Sequence, residues 1–147
     1  MPSTRNLTSL NNFLRKNKKI DFRNINLNNE KSINEFNWQS LTDEKIPILE
    51  QLKSYQRLLR ILPPKDDVFG PEKIAKQLLK NDFKSALQIA EMPKKVFLSK
   101  TKSIFKDDVL ANQVYKNALF KRKVVALQYI NRTQLSEPHT RSSGLHI

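Results

Sequence analysis

Residues 50–64 read EQLKSYQRLLRILPP, and the fold turns on this stretch. Leu49, Leu52, Tyr55, Leu58, Leu59 and Leu62 recur at spacings of three and four, which puts one wide apolar stripe on a helix. Lys53, Gln56, Arg57 and Arg60 fall between those positions, on the flanks and the outer face. Pro63 and Pro64 end the helix, because a proline ring clashes with the preceding turn and offers no backbone donor. A stripe this wide needs partner faces, and the rest of the chain must supply them. The stretch itself carries no chemistry.

Upstream, Thr42 or Asp43 is suited to capping this helix, with Asp43 and Glu44 favourable at its positive end. Pro47 is tolerated only near a helix start, which moves the beginning towards Lys45. Downstream, residues 63–70 read as a loop holding Asp66, Asp67 and Gly70. A second helix opens at Pro71 and Glu72, turns Ile74, Ala75, Leu78 and Leu79 inward, and ends near Asn81. Residues 85–91 make one or two turns with Ala86, Leu87, Ile89 and Ala90 inward, closed by Met92 and Pro93. Residues 94–101 follow with Val96, Phe97 and Leu98. Asp107 and Asp108 open the longest helix, running to about Ile130. Its expected inward face is Leu110, Val114, Ala118, Val125 and Tyr129, with Leu119 and Ala126 beside it, lying along the helix of residues 50–64.

Residues 1–40 are polar and asparagine-rich. Leu10, Phe13 and Leu14 give a short helix capped by Thr8 or Ser9, which needs a docking partner to persist. Ile20 and Phe22, then Ile25 and Leu27, alternate as in an extended chain. Ile33, Phe36 and Trp38 add to the apolar side chains that favour partial docking. Two glycines in 147 residues argue against a turn-rich sandwich or barrel. The expectation is an all-α fold, a compact bundle of about five helices with a polar, partly extended N-terminal arm. Its parts are the arm at 1–40, a helical domain at 41–132 and a flexible tail at 133–147.

No apolar run approaches the roughly 20 residues needed to span a bilayer, and the N-terminus lacks the apolar core of a secretory signal. With no cysteine there is neither a disulfide framework nor a thiolate metal site. Synthesis in the cytoplasm is expected, with export in a particle compatible with it. The formal net charge is +13: residues 1–40 carry seven Lys/Arg against three Asp/Glu, and residues 41–132 carry nineteen against ten. Such an excess serves solubility, and its field also favours nucleic acid, anionic lipid or an acidic protein wall.

Catalytic groupings are not evident. His139 and His146 both lie in the tail without spaced ligand partners, so no metal site is expected. Asp66-Asp67 and Asp107-Asp108 fit a loop and a helix start better than an acid–base pair. A phosphate-cradling glycine loop is missing, and no serine has a scaffolded histidine. The expected protein is not an enzyme and takes no cofactor. Its candidate partner-binding surface is a basic face of Arg57, Arg60, Lys94, Lys95, Lys121, Arg122 and Lys123. Tyr55, Phe97, Tyr115 and Phe120 fall at core positions and do not offer themselves for base stacking, so a nucleic-acid-binding module, the alternative, rests on charge alone.

Four segments carry a family resemblance: IDFRNINLNN at 20–29, EQLKSYQRLLRILPP at 50–64, KQLLKNDFKSALQIAEMPKKVFLSK at 76–100 and QVYKNALFKRKVVALQYI at 113–130. Their order resembles a region of the A component of bacterial insecticidal toxin complexes, the virulence-plasmid A family. The resemblance covers roughly residues 13–131 and implies a helical, non-catalytic region of a very large channel-forming protein. The family's receptor-binding, channel and C-terminal assembly regions have no counterpart here, so pore formation does not carry over. What the resemblance implies is a component or cargo of a bacterial toxin-delivery particle, such as a contractile injection system, bound to acidic protein through its basic face and arm.

Overall fold

The computed structural model describes residues 6–63 and 70–135. Among them are seven α-helices, one 3-10 turn and no strand. The helices are α1 (Thr8–Lys16), α2 (Glu30–Glu35), α3 (Lys45–Ile61), α4 (Pro71–Lys80), α5 (Ala86–Glu91), α6 (Lys94–Lys100) and α7 (Asp108–Leu135), with the 3-10 turn at Thr42–Glu44 before α3. The all-α bundle expected from periodicity is the architecture observed. Most of the loop expected at 63–70 and most of the tail, including both histidines, lie outside the described residues; 133–135 belong to α7.

α3 is the axis of the bundle and touches α1, α4, α5 and α7. Ile48, Leu52, Tyr55, Leu58, Leu59 and Ile61 are buried along it, and Leu62 just beyond its end. Pro47 sits at its third residue, where the missing N–H would have had no intrahelical partner anyway. Gln56 departs from the flank position expected of it. It is buried, and its amide nitrogen donates to the carbonyls of Phe22 at 2.8 Å and Ile25 at 2.6 Å. Two backbone acceptors of the N-terminal region are thereby satisfied from inside the helical domain.

The N-terminal region is core. Leu7, Leu10, Phe13, Phe22, Leu27, Ile33, Phe36 and Leu41 are all buried in the same cluster as the α3 stripe. Phe13 is the hub of an aromatic group, with ring centroids 5.7 Å from Phe22, 5.7 Å from Phe36 and 4.7 Å from Trp38. Buried Asn17 locks the two halves of the arm: Asn37 N–H donates to its oxygen at 2.8 Å, and its own amide donates to the Asn37 carbonyl at 3.1 Å. The alternation at residues 20–27 does not produce extended chain. The segment folds into turns, with the Asn24 and Ile25 N–H groups donating to the Asp21 carbonyl. The N-terminal cap also differs: the Asn6 side chain, not Thr8 or Ser9, accepts the Thr8 N–H at 3.0 Å.

A second aromatic group forms beyond α3 from Phe83, Phe97, Phe105 and Tyr115, with centroid spacings of 5.7–6.1 Å to Phe97. α4 reaches it through a tight stop. Asp82 takes φ 68°, Phe83 N–H donates to Leu78 O and Asp82 N–H to Leu79 O, which closes the last turn without a glycine. Ser85 caps α5 through the Gln88 N–H at 3.2 Å, and Asp107 opens α7 through the Val109 N–H at 2.9 Å. α7 packs chiefly on α5 rather than along α3. Its inward face holds at Ala111, Val114, Tyr115 and Ala118, then stops; Phe120, Tyr129 and Ala126, expected inside or beside the core, are exposed.

Two measurements check this core. Phe13→Ala and Phe97→Ala should each lower the unfolding free energy by about 3–5 kcal/mol in denaturant titrations, within one shared transition. A separate early transition for Phe13→Ala alone would show an arm folding apart from the bundle. Burial, and next the Glu72 charge, push the Tyr55 phenol well above its ordinary range. A raised folded value means that stability is fully present below the unfolded pKa, about 10, and declines as pH rises beyond it. Tyr55→Phe should therefore flatten the alkaline loss of stability above about pH 10 relative to wild type.

Candidate functional site

Three long-range hydrogen bonds set α7 across the ends of α3 and α5. Asn117 Nδ2 donates to the Ile61 carbonyl at 2.8 Å, Tyr115 Oη to Met92 O at 2.7 Å and Arg122 Nη1 to Ala90 O at 3.0 Å. Each satisfies a carbonyl left over where a helix ends. With α7 held there, a cleft of about 440 Å³ opens between α3, α5 and α7. Arg57 and Arg60 stand on the α3 side and Lys121 on the α7 side, all three exposed. Ile61, Ala86, Leu87 and Val125 supply apolar walls, with Ser85 beside them at the start of α5. None of these lining residues is acidic.

Arg60 is aimed by the arm. Its Nε donates to the Arg23 carbonyl at 2.9 Å, while Arg23 Nη2 turns back to the Leu62 carbonyl. The two bonds tie the arm to the end of α3 and fix the stem of Arg60 at the cleft. Such a cleft suits a carboxylate carried on an apolar segment. Guanidinium groups bind a carboxylate through paired, charge-assisted N–H donors, and Leu87 and Val125 meet the apolar part.

The seven basic residues expected on one face are distributed. Arg57, Arg60 and Lys121 meet at the cleft. Arg122 is engaged with the end of α5, Lys94 and Lys95 are exposed in the first turn of α6, and Lys123 is exposed further round α7. The walls of the cleft were not visible as site residues in the sequence. Leu87 has the spacing of a core residue yet remains 41% exposed, and Val125 is only half-buried.

A second hollow lies between the arm and α4, lined by Lys18, Asp21, Arg23, Tyr55, Glu72 and Lys76 among others. Its charges are of both signs, and apart from Tyr55 its ionisable groups lie on exposed or half-exposed residues. No group of three His, Cys, Asp or Glu side chains among the described residues is placed to hold a metal ion. No described helix is long and apolar enough to cross a membrane. Compared with known proteins, the chain matches no family model, no curated protein and no solved structure.

Proposed function

We propose that the chain is a non-enzymatic binding component that captures an acidic segment of another protein in the cleft between α3, α5 and α7. The observation that carries the reading is the meeting of Arg57, Arg60 and Lys121, from helices far apart in sequence, around apolar walls with no lining acid. Charge alone would serve a polyanion equally well. Apolar walls between the cations favour a ligand with side chains to bury, which a phosphate backbone lacks. The setting comes from the resemblance at residues 20–29, 50–64, 76–100 and 113–130: a part or cargo of a bacterial toxin-delivery particle, made in the cytoplasm and carried out with the particle.

The test uses a fluorescent twelve-residue peptide of alternating Glu and Leu. Arg57→Glu with Lys121→Glu reverses two exposed charges and leaves the hydrogen bonds of Arg60 and Arg122 in place. Binding of the peptide should weaken at least about tenfold, each reversal removing on the order of 1 kcal/mol or more of charge pairing. Single-stranded RNA that binds more tightly than the peptide, with a steep salt dependence, would transfer the site to nucleic acid. Mass spectrometry of purified particles checks the setting independently: the chain should be retained, and the double variant depleted.

A further inference from the structure

Among the described residues, the outer face of α7 is apolar and uncovered. Beyond Ala118 no described side chain of α7 is buried, and residues 126–134 are exposed except for half-buried Thr133. Phe120 is 68% exposed, Leu127 59% and Ile130 49%. Phe120 and Leu127 are seven residues apart and so point within about 20° of each other; Ile130 follows three later, the spacing of a coiled-coil seam. Val124, half-buried, lies beside them. Lys116 precedes Phe120 by four residues and Lys123 follows it by three, so both belong to the same seam. This face points away from the α5 side of the helix, where Ala118 and Arg122 are engaged, and is separate from the cleft.

We propose that the outer face of α7, built on Phe120, Leu127 and Ile130 with Lys116 and Lys123, docks an acidic amphipathic helix of a partner protein. Charge complementarity selects that occupant. From residue 109 to 135 the chain holds five Lys/Arg and no Asp or Glu. A second copy would bring its own Lys116 and Lys123 to the seam and add another +13 of like charge. A nucleic acid would meet the cations and can stack a base on Phe120, but it would leave aliphatic Leu127 and Ile130 wet. A helix with Leu or Ile along one face and Glu beside it covers the stripe and pairs the lysines together. The composition of the helix end also calls for a cover. Residues 126–134 mix strong helix formers (Ala, Leu, Gln, Arg) with the weaker Tyr, Ile, Asn and Thr, and no acid offers an i,i+4 partner to Arg132. Such an end is marginal as an isolated helix and becomes firm on docking.

The experiment uses the full chain and a labelled 21-residue peptide of three heptads, with Leu at the seam positions and Glu flanking them. Anisotropy should report binding that Phe120→Glu with Leu127→Glu weakens at least about tenfold, while Arg57→Glu with Lys121→Glu changes it less than about twofold. Amide exchange across residues 126–134 should slow when the peptide is added. The pair Phe120→Ala and Leu127→Ala, which keeps the charge, should give the same direction of loss and serves if the glutamates disturb the fold. Equal binding of a shuffled peptide with the same composition overturns the proposal, because charge alone then suffices. So does loss confined to the cleft variant, which would place the peptide in the cleft, and so does self-association in sedimentation that the Phe120 and Leu127 variants abolish.

Discussion

Helix ends are the constraint on which this structure depends. Each α-helix leaves carbonyls without intrahelical partners at its C-terminus, and many chains close them with a glycine in left-handed conformation. This chain has two glycines, and the one among the described residues, Gly70, precedes α4 instead of ending a helix. α3 and α5 therefore finish in extended residues, Leu62 and Met92, whose surroundings supply the donors from afar. Arg23 and Asn117 reach the end of α3; Tyr115 and Arg122 reach the end of α5. What would be local capping is converted into tertiary ties, and those ties dictate where α7 and the arm sit.

That conversion explains how much could be read in advance. Local signals were legible: the spacing of the α3 stripe, Pro71 at the start of α4 and Asp107 opening α7 are decided within a turn or two of chain. Gln56 was misplaced because its burial depends on two carbonyls more than thirty residues away. The turns at 21–28 carry the same two-residue alternation as a strand, and only the aromatic group around Phe13 tells the two apart. The far end of α7 repeats the helical period of its buried half, so periodicity cannot reveal where the domain beneath it stops.

The candidate sites share that origin. Arg57, Arg60 and Lys121 come together only because α7 is laid over the end of α3, and the arm that props Arg60 is itself held by Gln56. Cations on α7 thus divide by direction around the helix: Lys121 turns towards α3, Arg122 is anchored to α5, and Lys116 and Lys123 accompany the uncovered apolar seam. A chain of high positive charge thus presents cations beside exposed apolar side chains on two differently shaped surfaces of one helix.

The sole tryptophan of the protein, Trp38, lies against Phe13 with its indole N–H on the Ile33 carbonyl and the Lys45 ammonium 5.4 Å from its ring. Its light emission is set by contacts made at the joint between the first forty residues and α3. Tryptophan emission in this molecule is therefore a built-in reporter for that joint, whereas the aromatic group around Phe97 holds Tyr115 and no tryptophan.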